Sequence, residues 1–228
     1  QHMEGHNVVK IRSFDYFGSD AHAAELEKYM ETGNILSGED YVIVDSRSNG
    51  GGSGGGTGGH IYPAIAVAEA LTRILGEENV EILFVGAEGK MEMEKIPALG
   101  YRIEGLPVVG LQRQLNAANI INNLKAPFKV IESMRRAKSI IRKFGADIVV
   151  GFGGYASAPV LRAAQSLGVP TIIQEQNSYA GLTNKLLSKR AKRICVAYDK
   201  MERFFPKERI VMTGNPLRGR FSSNNNRK

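Results

Sequence analysis

Two glycine-rich stretches of the sequence have the composition of loops that bind phosphate groups. The first, GGTGGHIYP at residues 55–63, precedes a predicted helix, and the second, GFGGYASAP at residues 151–159, follows a predicted strand and opens another helix. Exposed backbone N–H groups and the positive end of a helix dipole favour an anion there. No Lys-Ser/Thr pair follows the glycines, so a triphosphate-binding P-loop is not indicated. Taken alone, the first stretch is equally compatible with a spacer.

A third polar stretch directly follows the short apolar run Thr171–Ile173. A polar cluster in that position faces either solvent or a ligand, and we interpret it as a third part of a binding site. Its members carry one carboxylate and several amide or hydroxyl groups: Gln174, Glu175, Gln176, Asn177 and Ser178.

The elements that must position these stretches alternate between strand and helix from residue 60 onward, which predicts an α/β fold with a doubly wound parallel sheet. Ligands bind beyond the carboxyl ends of the strands in such a sheet. The strand candidates are short and rich in Val and Ile, as expected when helices cover both faces: Val80–Val85, Tyr101–Leu106, Asp147–Gly151, Thr171–Gln174, Arg193–Ala197 and Ile210–Thr213. The helix candidates are Pro63–Leu75, Lys90–Leu99, Ala118–Phe144, Ala156–Leu167, Leu182–Arg190 and Asp199–Phe205.

The composition excludes several classes of protein. The 228 residues are 43% hydrophobic and 23% charged, which is too apolar for a mostly disordered chain. No apolar run approaches the roughly 20 residues of a membrane-spanning helix, and the N-terminus lacks the pattern of a signal peptide. The single cysteine, Cys195, excludes an internal disulfide and a cysteine-based zinc site. We therefore expect a reducing, cytoplasmic environment and neither a metal nor a cofactor.

Charge divides the chain into two parts. Residues 1–48 contain 4 Lys/Arg and 9 Asp/Glu, whereas residues 49–228 contain 26 and 14, so the net charges are −5 and +12. The glycine-rich run at 50–59 between them is typical of a flexible linker. We predict four regions: an N-terminal segment at 1–48, a Gly/Ser linker at 49–54, the α/β domain at 55–218 and a polar tail at 219–228.

The N-terminal segment suggests no chemistry. Gln1-His2-Met3 resembles the remnant of an expression tag. The runs Asn7–Phe17 and Tyr41–Asp45 predict strands, and AHAAELEKYMET between them predicts a helix. His22 on that helix has Leu26 one turn later rather than a second metal ligand, so we interpret it as a surface histidine.

Five blocks of the sequence, in order, resemble the acceptor-binding half of the MurG family of peptidoglycan glycosyltransferases. The blocks are GGTGGHIYPAIAVAEAL, ILFVGAEGKMEMEKIP, GFGGYASAPVL, IIQEQNSYAGLTNKLLSKRAKRICVA and TGNPLR. The resemblance covers residues 55 to about 218. It implies transfer of N-acetylglucosamine from its UDP donor to lipid I, a lipid-linked N-acetylmuramyl-pentapeptide diphosphate, to give lipid II. It also implies a two-domain GT-B fold with the active site in the cleft, inversion without a metal, and a peripheral position at the cytoplasmic membrane face.

The resemblance assigns roles to particular residues. Gly55–His60 and Gly153–Ser157 match loops that receive the acceptor diphosphate, so Gly153, Gly154, Tyr155 and Ser157 become acceptor-site candidates. His60 matches an essential histidine, either a general base or a structural cap of its loop, and Glu175 is the second candidate base because it lies in the same cluster. The positions that match contacts to the UDP-sugar are Thr57, Gly58, Gly59, Asn177 and Arg218.

The sequence departs from the family pattern in two places. The first strand of the family should end directly before the first glycine loop, whereas Arg47-Ser48-Asn49 and a Gly/Ser stretch stand there; residues 41–45 replace that strand, or the sheet lacks it. After Arg218 the sequence continues only with the tail 219–228. We therefore expect a domain that binds the acceptor but transfers poorly alone, because the second domain of the family binds most of the donor.

The predicted helix Ala118–Phe144 combines apolar residues with seven cations between residues 125 and 143, where Glu132 is the one acid. That pattern fits either the surface of an anionic bilayer or an ordinary surface helix. Two further interpretations stay open: an engineered non-catalytic fusion or binding protein, and nucleic-acid binding. The second has only the positive charge in its favour, since there is no Trp and no RNA-recognition motif, so we expect no nucleic-acid partner.

Overall fold

A computed structural model describes residues 40–45, 60–107, 117–153 and 157–216, with 40–45 and 117–127 described by their backbone alone. Its centre is a seven-stranded sheet in which every neighbouring pair is parallel, in the order β3-β2-β1-β4-β5-β6-β7. The strands are β1 Asp40–Asp45, β2 Val80–Ala87, β3 Arg102–Leu106, β4 Ile148–Gly151, β5 Thr171–Glu175, β6 Arg193–Val196 and β7 Ile210–Met212. The predicted doubly wound parallel sheet is confirmed.

Strand β1 lies at the middle of this sheet, on the N-terminal side of the predicted linker. Val42 is in register with Ile82 of β2 on one side and with Ile148 of β4 on the other. Of the two alternatives for residues 41–45, the structure therefore has the one in which they take the place of the first strand. The sheet extends beyond the predicted limit at residue 55, while the other boundaries stay predictions. The predicted strand Asn7–Phe17 and the helix after it lie outside the described residues.

The helices differ in length from the sequence-based prediction where proline intervenes. They are α1 Ile61–Leu75, α2 Glu92–Lys95, α3 Ala117–Phe144, α4 Ala158–Leu167 and α5 Leu182–Ser188, with 3-10 turns at Pro97–Leu99, Met201–Arg203 and Lys207–Arg209. The predicted helix Lys90–Leu99 is divided because Pro97 has no N–H to continue α2. The predicted helix Asp199–Phe205 is only a 3-10 turn, since Lys200 has a φ of 61° and Pro206 restricts the residue before it.

Helices cover both faces of the sheet, which explains the unalternated apolar strands. On one face α1 packs its buried Ile65 and Leu71 against a cluster that includes Phe84 and Ile148. On the other face α3, α4 and α5 contribute Ile141, Leu161 and Leu187 to a second cluster. Each fully buried side chain of this size contributes about 1.5–3 kcal/mol. Among the helices of the described ranges, none is both long enough and apolar enough to cross a bilayer.

The strand order creates a crevice between β1 and β4. From β1 the chain proceeds outward to β2 and β3, and then returns past β1 to continue outward from β4 to β7. Helix α1, which follows β1, and helix α4, which follows β4, pack on opposite faces of the sheet, and this topological switch point is where open α/β sheets bind ligands. The residues that enter α1 and α4 lie beside that crevice.

Candidate functional site

The carboxylate of Glu175, at the end of β5, organises the loop that follows it. The side chain is 2% exposed. Its Oε1 accepts hydrogen bonds from the backbone N and the Nδ2 of Asn177, at 3.1 and 3.0 Å. Its Oε2 accepts from the backbone N of Gly181 at 3.2 Å and from Nδ2 of Asn184 at 2.9 Å. Because four donors occupy both oxygens, this geometry favours a structural role for Glu175 over proton abstraction from a substrate.

The loop after β4 is joined to the loop after β5 by one hydrogen bond, and it also packs closely on helix α5. Gln176 donates from Nε2 to the backbone oxygen of Phe152 at 3.1 Å. Gly153 is buried with a φ of 91°, in the left-handed region, and a Cβ at this position would lie 3.1 Å from Nδ2 of Asn184. Glycine is therefore required here both by backbone conformation and by the close approach of the amide. The two loops form one connected unit at the sheet edge.

Ser157 begins α4 and is fully buried, so its hydroxyl faces protein rather than solvent. Gly153 and Ser157 are thus the buried described residues on either side of positions 154–156. The acceptor-site candidates between them, Gly154 and Tyr155, lie outside the described residues.

His60 occupies the N-cap position of α1, next to the crevice. Its φ and ψ are −108° and −27°, and among the described residues its side chain makes no capping hydrogen bond. The imidazole Nδ1 is buried and has no hydrogen-bond partner within the described parts of the chain. A cap that makes no bond contributes little to its helix, whereas a desolvated ring nitrogen requires a partner. This geometry favours an exchange of hydrogen bonds or a proton with a ligand over capping. Thr57, Gly58 and Gly59, which precede His60, lie outside the described residues.

The end of β7 is tied to the same edge. Gln174, which is fully buried, donates from Nε2 to the backbone oxygen of Gly214 at 3.1 Å. The backbone N–H groups of Thr213 and Gly214 both donate to the oxygen of Val196 at 3.1 Å. The TGNP segment therefore lies beside the loop that carries Asn177, which is exposed. Arg218 lies outside the described residues.

Two cations lie beside the loop after β5. Lys185 places its Nζ 4.2 Å from the ring centroid of Tyr179 and 4.4 Å from that of Phe204. Arg203 stacks on Phe204 at 4.7 Å and donates to the backbone oxygen of Ser178 at 2.9 Å. The aromatic rings hold the two charges in place without neutralising them. Such a charge favours an anionic ligand at this edge.

The structure thus brings Gly153, Glu175 and Asn177 into one network, and the topology sets His60 and Ser157 at the same edge. Asn184 belongs to this network and was missed in the sequence-based interpretation. A signal was present: in the predicted helix Leu182–Arg190, Asn184 stands one turn before Leu187 and Ser188, on the side that the helix buries. Among the described residues, no three His, Cys, Asp or Glu side chains are grouped to hold a metal ion.

Comparison with known proteins assigns the domain. Residues 53–196 match the model of the glycosyltransferase family 28 N-terminal domain. The chain is 60% identical over 170 residues to a UDP-N-acetylglucosamine--N-acetylmuramyl-(pentapeptide) pyrophosphoryl-undecaprenol N-acetylglucosamine transferase of Porphyromonas gingivalis, covering 75% of this chain and 42% of the relative. A protein of the same name from Cytophaga hutchinsonii is 59% identical, with 75% and 43% covered. The chain therefore spans less than half the length of these relatives.

A solved structure shows the same relationship. The crystal structure of Acinetobacter baumannii MurG superposes with a TM-score of 0.59 and 30% sequence identity. The match covers 76% of this chain and 45% of that protein. The similarity thus extends over most of the sheet and its helices.

Proposed function

The chain belongs to glycosyltransferase family 28, and on that premise we propose that it is the acceptor-binding half of an enzyme that transfers N-acetylglucosamine from UDP-N-acetylglucosamine to a lipid-linked N-acetylmuramyl-pentapeptide diphosphate. The observation that carries the proposal is the unit formed by the loops after β4 and β5. In that unit Gly153 and Glu175 are fixed against Asn184 beside the crevice. The names of the relatives supply the substrates.

In the proposed reaction the acceptor diphosphate lies in the glycine loops 55–60 and 153–157. Their backbone N–H groups and the N-terminal ends of α1 and α4 stabilise its charge. Gly153, Gly154, Tyr155 and Ser157 of the second loop contact the acceptor. The residues that contact the UDP-sugar are Thr57, Gly58 and Gly59 of the first loop, together with Asn177 and Arg218.

We assign the proton transfer to His60. Its imidazole removes the proton of the acceptor hydroxyl as the hydroxyl oxygen attacks the anomeric carbon of N-acetylglucosamine. The bond from that carbon to the diphosphate breaks, and UDP leaves with the electron pair. Attack from the face opposite to the leaving group inverts the anomeric carbon, and no step uses a metal. Glu175 holds the loop that carries Asn177, so it acts through position rather than proton transfer.

A polypeptide of these 228 residues should bind the acceptor side more tightly than the nucleotide. The matched relatives are more than twice as long as the stretch they share with this chain, and we assign most of their nucleotide pocket to the rest. We expect calorimetry to give at least about tenfold tighter binding for a soluble short-chain lipid I analogue than for UDP. Tight binding of UDP with no binding of the analogue would contradict the proposal. A transfer assay with radiolabelled donor, with and without a separately supplied second domain, distinguishes this enzyme from a non-catalytic binding protein.

We further propose that the domain works at the cytoplasmic face of the membrane as a peripheral protein. In the described half of α3, Phe128 is 75% exposed and Ile131 is 49% exposed. Exposed Arg135 stands one turn after Ile131 on the same side of the helix, and exposed Lys129 follows Phe128 in the chain. Apolar side chains surrounded by cations suit an anionic bilayer surface, where each cation contributes about 1 kcal/mol.

Neutralising three cations of α3 should weaken binding to vesicles that contain anionic lipid. We expect Arg135→Gln/Arg136→Gln/Lys138→Gln to reduce co-sedimentation by about tenfold or more. The loss is smaller than three unpaired cations would give, because Arg136 is partly neutralised by Glu88 at 2.8 Å. Raising the salt concentration above 0.1 M should also weaken vesicle binding, because the Debye length is about 10 Å at 0.1 M and becomes shorter as salt is added. The matched control changes the exposed Lys192, Lys200 and Lys207 to Gln. Equal binding by both triple variants at every salt concentration would make α3 an ordinary surface helix.

A further inference from the structure

We propose that Asn184 is a positioning residue of the acceptor site, whose amide sets the distance between the loop after β4 and the loop after β5. This inference rests on the proposed function, since it assumes that the two loops bind one ligand together. Asn184 touches neither reacting group in the proposed reaction. It acts through Gly153 and Glu175.

The geometry that carries the inference is the contact of one planar amide with two loops. Asn184 is 2% exposed, and its Nδ2 donates to Oε2 of Glu175 at 2.9 Å. The same nitrogen would lie 3.1 Å from a Cβ on Gly153, so the backbone of the glycine loop packs directly on the amide. Any displacement of one loop relative to the other must therefore move Asn184 or break one of these contacts.

The oxygen of the Asn184 amide indicates that asparagine at this position does not serve stability alone. Oδ1 of Asn184 is buried and has no hydrogen-bond partner among the described residues. Buried acceptors without a donor are uncommon in folded proteins because their desolvation is not compensated. An apolar residue would avoid that cost on a helix face that otherwise buries Leu187 and Ser188. Asparagine is retained where the donor to Glu175 is needed.

The chain contains a matched control for an amide of this kind. Gln165 on α4 is also a largely buried amide, donating from Nε2 to Leu187 O at 2.9 Å and to Thr171 Oγ1 at 3.2 Å. Its Oε1 is likewise buried without a partner among the described residues. Gln165 lies two residues before the end of α4 and bonds to the amino end of β5, away from the carboxyl edge. Asn184→Asp and Gln165→Glu therefore make the same chemical change, amide to carboxylate, at the carboxyl edge of the sheet and away from it.

The experiment measures the Kd of a soluble short-chain lipid I analogue by calorimetry at pH 8, below the melting temperature of every variant. Asn184→Asp places a carboxylate against Glu175, and we expect it to raise Kd at least tenfold. Gln165→Glu should change Kd less than threefold, although both variants lower the melting temperature. The double variant Asn184→Asp/Glu175→Gln restores an amide-carboxylate pair with the donor reversed, while the hydrogen bond from the backbone N of Gly181 is lost. It should recover at least half of the loss on a logarithmic scale.

The outcomes separate this inference from the function on which it rests. No binding of the analogue by the wild-type chain overturns the proposed function. If the wild type binds and Asn184→Asp and Gln165→Glu change Kd equally, only the role of Asn184 is overturned. A purely structural residue changes the melting temperature without a specific effect on the binding site. If Asn184→Asp is unfolded, as judged by loss of its near-UV circular dichroism, the double variant provides the test. A folded double variant that binds the analogue more than a hundredfold more weakly than the wild type also overturns the positioning role of Asn184.

Discussion

His60→Ala should abolish sugar transfer while leaving the fold almost unchanged. A general base in a glycosyl transfer contributes about 10²–10⁴-fold to the rate, so we expect a loss of that size in the enzyme completed with a second domain. The side chain makes no capping bond among the described residues. Its removal should therefore cost less than about 1 kcal/mol of unfolding free energy. Radiolabelled transfer and thermal unfolding of the same preparation give the two quantities.

A second substitution separates proton transfer from orientation. Asparagine can donate and accept a hydrogen bond at position 60 but cannot act as a base near neutral pH. His60→Asn should be as inactive as His60→Ala if the imidazole takes the proton. Substantial recovery of activity by His60→Asn would instead make His60 an orienting donor. A melting temperature lowered by several degrees, with activity lost only in proportion to folded protein, would assign it to the structural cap.

Glu175→Ala should destabilise the domain more than any other change considered for this edge. The substitution leaves four hydrogen-bond donors, on Asn177, Gly181 and the buried Asn184, without their acceptor. Leaving a buried donor without its acceptor costs about 1–3 kcal/mol. For a domain of this size that corresponds to a fall in melting temperature of roughly 2–12 °C. Thermal and urea unfolding measure the effect directly.

The matched control for this loss is Glu202→Ala, which removes an exposed carboxylate and should change stability by no more than about 0.5 kcal/mol. If Glu175 is the base instead of His60, the pattern reverses. Glu175→Ala would then keep its melting temperature and lose transfer, and His60→Ala would remain active.

Periodicity and composition predicted the sheet and the edge that carries the site, because both follow from short-range patterns. Unalternated Val/Ile runs indicated covered strands, and glycine or polar stretches after them indicated the ligand edge. The break at Pro97 was missed because the apolar pattern continues through it, whereas the backbone hydrogen bond does not. The place of β1 depended on pairing with β4 across a linker-like segment, which no local pattern encodes.

The network around Glu175 was less accessible from sequence. Sequence-based reasoning grouped Glu175 and Asn177 as polar neighbours, and the family resemblance made Glu175 a candidate base and Asn177 a contact to the UDP-sugar. Only the positions of Gly181 and Asn184 show that the carboxylate is saturated with donors. Such a distinction depends on distances of a few tenths of an ångström between segments that are not adjacent in the chain.

The central position of β1 has a consequence for biosynthesis. The backbone groups on one side of β1 pair with β4, and Val42 meets Ile148 about 100 residues later in the chain. At a synthesis rate of about 5–20 residues per second, roughly 5–20 s pass on the ribosome before that partner emerges. During this interval the nascent chain carries an unpaired strand edge of the kind that promotes aggregation. A chaperone that occupies this edge during translation would raise the yield of folded domain.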